Sequence, residues 1–159
     1  MAKTLVVNQE KCIACRRCEL ACAFKKVGEF NPAAARLSVA VFLEDDVYLP
    51  IVCQHCDEPF CMEICPAGAI YRDVQTQAVK INSDRCIGCR MCIMACPFGG
   101  VDYSVSEQQV VKCDLCDGEP ECVLFCPTQA LEYKEPTELG LAKRKKVARR
   151  MKELMREVG

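Results

Sequence analysis

The chain has no tryptophan, four tyrosines and six phenylalanines in 159 residues. So few large rings leave the ordinary hydrophobic core thin, and something else must hold the fold together. Histidine is nearly absent too. The only one, His55, has no evident nucleophile partner, so no substrate-activating constellation is visible. No apolar run reaches the roughly 18 residues of a membrane span. Residues 1–11 have neither a long apolar core nor a small-residue cleavage site, so no export signal is expected and the cytoplasm is the expected compartment. Aromatic platforms for nucleic-acid bases are missing, and nucleic-acid binding is not expected.

Cysteine is what the chain has in excess. Its sixteen cysteines stand in four blocks: Cys12, Cys15, Cys18, Cys22; Cys53, Cys56, Cys61, Cys65; Cys86, Cys89, Cys92, Cys96; and Cys113, Cys116, Cys122, Cys126. The first and third read C-x2-C-x2-C-x3-C, the bacterial ferredoxin spacing, in which three cysteines grip one cluster and the fourth reaches another. The second and fourth blocks widen only the middle gap. The spacing predicts four 4Fe–4S clusters and one-electron chemistry. A disulfide scaffold suits secreted chains and fits poorly with cysteines only three apart. Zinc knuckles are the nearer rival, but they combine C-x2-C pairs rather than triplets with a trailing C-P.

Pro66, Pro97 and Pro127 follow the last cysteine of blocks two, three and four, whereas Ala23 follows Cys22. Proline disfavours helix at the residue before it, so a short helix should end at the fourth cysteine in those three blocks. Gly88 is expected to permit close backbone approach to a cluster, although Ala14 fills the same place in block one. His55, between Cys53 and Cys56, is either a packed residue or a hydrogen-bond donor to cluster sulfur. Glu44, Asp45 and Asp46 read as a solvated turn or a docking patch.

Residues 11–22 and 85–96 match almost position for position, and 53–70 parallels 113–131, so residues 1–75 and 76–135 read as two copies of one unit. Apolar or β-branched stretches precede each block (Thr4 to Val7, Val47 to Val52, Ala78 to Ile81, Val110 to Val111). Short helices are expected around residues 19–21, 62–64, 93–95 and 123–125. Strands are expected at residues 69–71 and 131–133, and Leu37 to Leu43 reads as a hairpin strand. The expected class is α+β: two ferredoxin-like domains related by internal duplication, one discontinuous, plus a C-terminal amphipathic helix.

The block with His55 and Pro59, C-x-H-C-x2-P-x-C-x3-C-P, and the opening CIACRRCELACAFKKVGEFNPAAARL carry a resemblance. Over roughly residues 5–135 the chain resembles the four-cluster iron–sulfur subunits of molybdenum or tungsten pterin oxidoreductases. It looks closest to the polyferredoxin-like subunit of tungsten aldehyde oxidoreductases and is similar to the electron-transfer subunit of benzoyl-CoA reductases. The resemblance implies which blocks cross. Cluster A would take Cys12, Cys15, Cys18 and Cys126; cluster B, Cys113, Cys116, Cys122 and Cys22; cluster C, Cys53, Cys56, Cys61 and Cys96; cluster D, Cys86, Cys89, Cys92 and Cys65. It also implies one domain from residues 1–50 and 105–135 wrapped around a second from 51–104. Because Cys92 is present, the family's three-iron variant of block three is not expected.

From Thr137 to Gly159 eight basic residues face three acidic ones, which makes the tail +5 and the rest of the chain −6. Val147, Met151, Leu154 and Val158 recur with helical period, so 136–159 reads as a basic amphipathic docking helix. Its expected partners are another copy of this chain or a catalytic subunit. Three function classes follow: an electron-relay subunit without catalysis of its own, a free soluble polyferredoxin, and a zinc scaffold. The tail favours the relay, between a tungsten or molybdenum pterin subunit and a flavin/NAD subunit or ferredoxin. A carbon monoxide dehydrogenase, formate dehydrogenase or hydrogenase is the alternative partner.

Overall fold

The protein is represented by a computed structural model, which describes residues 3–135. The expected helix over 136–159 and its docking role lie outside the described residues. Eight short strands form four separate two-stranded antiparallel sheets. β1 (Thr4–Val7) pairs with β8 (Leu131–Lys134), setting Thr4 opposite Lys134 and Val7 opposite Leu131. The other three sheets are hairpins: β2 (Ser38–Phe42) with β3 (Val47–Ile51), β4 (Ile70–Arg72) with β5 (Val79–Ile81), and β6 (Val101–Ser104) with β7 (Gln109–Lys112). Each hairpin returns through a left-handed residue, Asp46, Gln77 or Gln108. Strands this short cannot stand alone as hairpins in water. They are held by what lies between them.

Between the strands lie four helices, α1 (Arg17–Val27), α2 (Phe60–Glu63), α3 (Met91–Ala95) and α4 (Glu121–Leu124). Their lengths follow the prolines. α2, α3 and α4 all stop before Cys65, Cys96 and Cys126. Where Ala23 replaces proline, α1 runs through Cys22 and closes on left-handed Gly28. Missing proline therefore lengthens the helix and buries Cys22 inside it.

Two hydrophobic clusters fill the interior, and cysteines are structural members of both. One gathers Leu5, Leu37, Val39, Val52, Leu115 and Leu131 with Cys18, Cys22 and Cys122. The other gathers Ile70, Val79, Val101 and Val110 with Cys61 and Cys92. Long-range ion pairs reinforce the joints: Lys26 to Asp114 at 2.6 Å and Arg36 to Glu107 at 2.6 Å. Glu19, only 5 % exposed, accepts the Val39 N–H at 2.6 Å and so ties α1 to β2.

Candidate iron–sulfur sites

One backbone device recurs in every block. The residue before the second cysteine is left-handed each time: Ala14 (φ 53°), His55 (46°), Gly88 (69°) and Leu115 (60°). Left-handed residues in a tight turn swing successive N–H groups to one side and make an anion-binding concavity. Gly88 needs its left-handed φ, and a Cβ there would meet no protein atom within 4 Å, which leaves that side of the turn open. Close approach of protein to protein occurs at Gly100, where a Cβ would sit 2.8 Å from the Cα of Cys53. Gly100→Ala must push that backbone aside, at about 1–3 kcal/mol. The expected result is a lower melting temperature and faster iron loss from the site holding Cys53, measured against the unsubstituted chain.

The fourth cysteines share a second device. After Cys65, Cys96 and Cys126 the C-P turn carries a left-handed residue (Gly68, Gly99, Gln129). The next N–H then donates back to the sulfur: Ala69 to Cys65 at 3.3 Å, Gly100 to Cys96 at 3.3 Å and Ala130 to Cys126 at 3.2 Å. Cys22, without the turn, takes its N–H from Arg36 at 3.2 Å. Burial lifts the Cys126 thiol, but the N–H groups of Leu131 and Ala130 and the Thr128 hydroxyl outweigh it and hold the thiol below its ordinary value.

The described residues bring thiols from different blocks together. Cys53, Cys56 and Cys61 line one cavity, and Cys96 completes its wall. Cys86, Cys89, Cys92 and Cys65 line another. The remaining blocks meet as well. Cys126 and Cys15 both act electrostatically on Cys18. Cys113, Cys22 and Cys116 act on Cys122. Cys12 packs against the same apolar cluster as Cys113 and Cys126. All sixteen cysteines are free thiols. Among the described residues no group of three or more His, Cys, Asp or Glu side chains stands ready to hold a single metal ion.

The donor chemistry fits iron–sulfur clusters. Four soft sulfurs face each cavity, beside apolar walls that include Ile70 and Val110 at one and Val79 and Val101 at the other. Burial raises the thiols of Cys18 and Cys113 to about 12 and also raises those of Cys22, Cys61, Cys92 and Cys122. Such thiols stay protonated at neutral pH unless a cationic centre displaces the proton. Loading the sites therefore releases protons and contributes directly to folding.

His55 and Lys112 share the cavity wall with Cys53 and Cys61. The Nδ1 of His55 accepts the Val79 N–H at 3.0 Å, while its buried Nε2 has no partner. Burial, followed by the Lys112 charge, pushes the imidazole down to about 3, so the ring is neutral. Lys112, 7 % exposed, donates to the Val79 carbonyl and, at 3.2 Å, to the Cys113 carbonyl. Nothing in the sequence set Lys112 apart, because a lysine ending a strand is ordinarily solvated. Gly100 was equally silent beside Gly99. The acidic turn at 44–46 is exposed, which suits a solvated turn and a docking patch alike.

With this geometry in place, comparisons with known proteins fall into line. Residues 45–136 match the model of the 4Fe–4S dicluster domain, and residues 9–25 match that of a 4Fe–4S binding domain. An uncharacterized ferredoxin of Methanocaldococcus jannaschii is 40% identical over 91% of this chain and 80% of its own length. The polyferredoxin-like subunit of the aliphatic sulfonate oxidoreductase of Pyrococcus furiosus is 35% identical, over 73% of this chain and 66% of its own. The B subunit of the anaerobic dimethyl sulfoxide reductase of Escherichia coli K12 is 33% identical, over 69% of this chain and 59% of its own. Among solved structures, a component of the benzoyl-coenzyme A reductase active-site complex BamBC, as isolated, aligns with 93% of this chain and 90% of its own, at 26% identity and a TM-score of 0.48. The chain belongs to the 4Fe–4S dicluster domain family. It is an iron–sulfur electron-transfer protein related to subunits of oxidoreductase complexes. No helix among the described residues is long and apolar enough to cross a membrane.

Proposed function

We propose that this chain is a non-catalytic relay subunit that holds four 4Fe–4S clusters in a row and passes single electrons between a catalytic subunit and a second redox partner in the cytoplasm. The carrying observation is the order in which the thiols neighbour one another. Cys18 of set A acts on Cys122 of set B, Cys53 of set C on Cys113 of set B, and Cys61 of set C on Cys92 of set D. These neighbour relations support a row in the order A, B, C, D. Exposed Cys15 and Cys89 lie in the two outer sets, which suits entry and exit at opposite ends.

The ligand sets are those given above, with blocks one and four crossed, and blocks two and three crossed. The division into 1–50 with 105–135 and 51–104 is supported by the β1–β8 pairing and by the way the cysteines divide between the two apolar clusters, while Val52 and Ala78 in the first and Val110 in the second join the two parts. Duplication is supported by the left-handed turn repeated in all four blocks. One-electron reduction and oxidation is the chemistry such clusters supply. The chain's own part is to hold the sulfurs, to direct N–H groups at the fourth cysteines and to keep the inner thiols away from water.

The partner we favour is a tungsten or molybdenum pterin oxidoreductase, such as an aldehyde oxidoreductase, with a flavin/NAD subunit or ferredoxin on the other side. Kinship with subunits named for sulfonate and dimethyl sulfoxide chemistry supports an oxidoreductase complex. The basic tail, 137–159, supplies the dock, to another copy of the chain first. The test is anaerobic purification of the full chain, with iron and acid-labile sulfide counted. About sixteen of each per chain are expected from four sites of four cysteines, and zinc without sulfide would overturn the relay. A second arm removes 137–159. Unchanged iron with a smaller particle mass supports the dock, and unchanged mass refutes it.

A further inference from the structure

The two polar atoms of one buried residue, Val79, are both spent on side chains that line the same cavity. Its N–H goes to Nδ1 of His55 and its carbonyl takes the ammonium of Lys112. The first bond assigns the tautomer. Nδ1 accepts, so it carries no proton, and the neutral ring carries its proton on Nε2. That N–H is buried without a partner in the protein, in a residue that lines the cavity with Cys53, Cys56 and Cys61. A left-handed backbone, which histidine tolerates better than most residues, fixes the ring there. A buried N–H left unpaired is costly, and sulfur is the acceptor that this cavity is built to receive.

The second bond holds the lysine side chain inside the fold. No carboxylate pairs with buried Lys112 among the described residues, whereas half-buried Lys26 is held by Asp114 and half-buried Arg36 by Glu107. Half-buried Arg72 adds a second cation at set C, donating to the carbonyls of Cys56 and Asp57. Lys112 acts on Cys61 of set C and on Cys113 of set B, so it sits at the joint between the two inner sets. A four-thiolate cluster brings about two negative charges to each set, and those are the counter-charge that a buried, unpaired ammonium needs. Set A has the opposite arrangement, with the carboxylate of Glu19 buried beside Cys18.

We propose that Lys112 and His55 are potential-setting residues that make the cluster held by Cys53, Cys56, Cys61 and Cys96 the most easily reduced of the four. The cation favours the extra electron directly, and the Nε2–H favours it by hydrogen bonding to sulfur. Set B, which shares Lys112 without His55, comes second. The middle of the row is then where an electron rests, and the outer sets are crossed in passing. This rests on the relay reading and fails separately from it, because iron content tests the relay while individual potentials test the residues.

The experiment is an EPR-monitored redox titration of the full chain, with Cys56→Ser identifying which signal belongs to set C. Lys112→Gln keeps a donor for the two carbonyls and removes the charge. It should lower that cluster's reduction equilibrium at least tenfold, or about 59 mV for one electron, with a smaller fall at set B. Lys112→Arg should restore most of it. His55→Leu should lower set C alone by several-fold, and His55→Gln, which can still donate, should recover it. Should Lys112→Gln lose iron, the His55 pair decides by itself. A wild-type set C that is not the highest, or equal shifts at all four clusters, or unmoved potentials at full iron content, overturns the proposal.

Discussion

Replacing Cys126 by alanine is expected to empty the site held by Cys12, Cys15 and Cys18, more than 100 residues away in sequence, and to spare the site of its near neighbour Cys122. Cys126 acts electrostatically on Cys18 across that separation. Its sulfur is set by the Ala130 N–H and the C-P turn, which hold the thiol in its more acidic, ligand-ready state. Removing one of four thiolates should cost that site its cluster, or leave three irons there, so about a quarter of the iron is at risk. Cys65→Ala is the companion change, with the effect expected at the site of Cys86, Cys89 and Cys92. Iron counting together with EPR of each variant decides. Loss confined to the cluster bound by Cys113, Cys116 and Cys122 would mean that each block keeps its own fourth cysteine.

The elements of the fold mark how far the sequence could be read. The strands at Thr4–Val7 and Leu131–Lys134 stood out from their apolar residues, and all four helices were visible from the cysteine blocks. Local pattern was enough because each piece is short and bounded by proline or by a turn. That β1 pairs with β8 was not written in either strand, since register is settled by partners distant in sequence. The prolines after blocks two to four announced where helices stop, and the alanine after block one fixed where α1 does not. The length α1 would reach depended on Gly28, five residues past the last apparent signal.

At the sites the same division holds. Spacing singled out all sixteen cysteines as candidate ligands, because that choice is a matter of residue type. It did not name Gly100 or Lys112, whose importance lies in what packs against them. A glycine that meets the Cα of Cys53 and a lysine that points inward look ordinary in a row of letters. His55 was singled out by its position between two cysteines, but its tautomer depended on the N–H of Val79, 24 residues away.

Iron removal should have the largest effect of all. Stripping the clusters under reducing conditions is expected to unfold residues 3–135 as a unit, with loss of secondary-structure signal and of protease resistance. Both apolar clusters include cysteines among their buried members, and the purely apolar members are few and mid-sized, with Leu115, Leu131 and Val79 the largest that are fully buried. The sheets are separate pairs of three to five residues per strand, too short to persist by themselves. Without metal, the thiols of each set lose their common ligand, and the thiol-lined cavities must fill with water or collapse. Refolding should then require iron and sulfide together, and adding reductant alone should not restore protection. Hydrogen exchange before and after chelation measures this amide by amide. An apoprotein that kept its protected strands would show that the apolar clusters suffice, and the view of the metal centres as the structural core would be wrong.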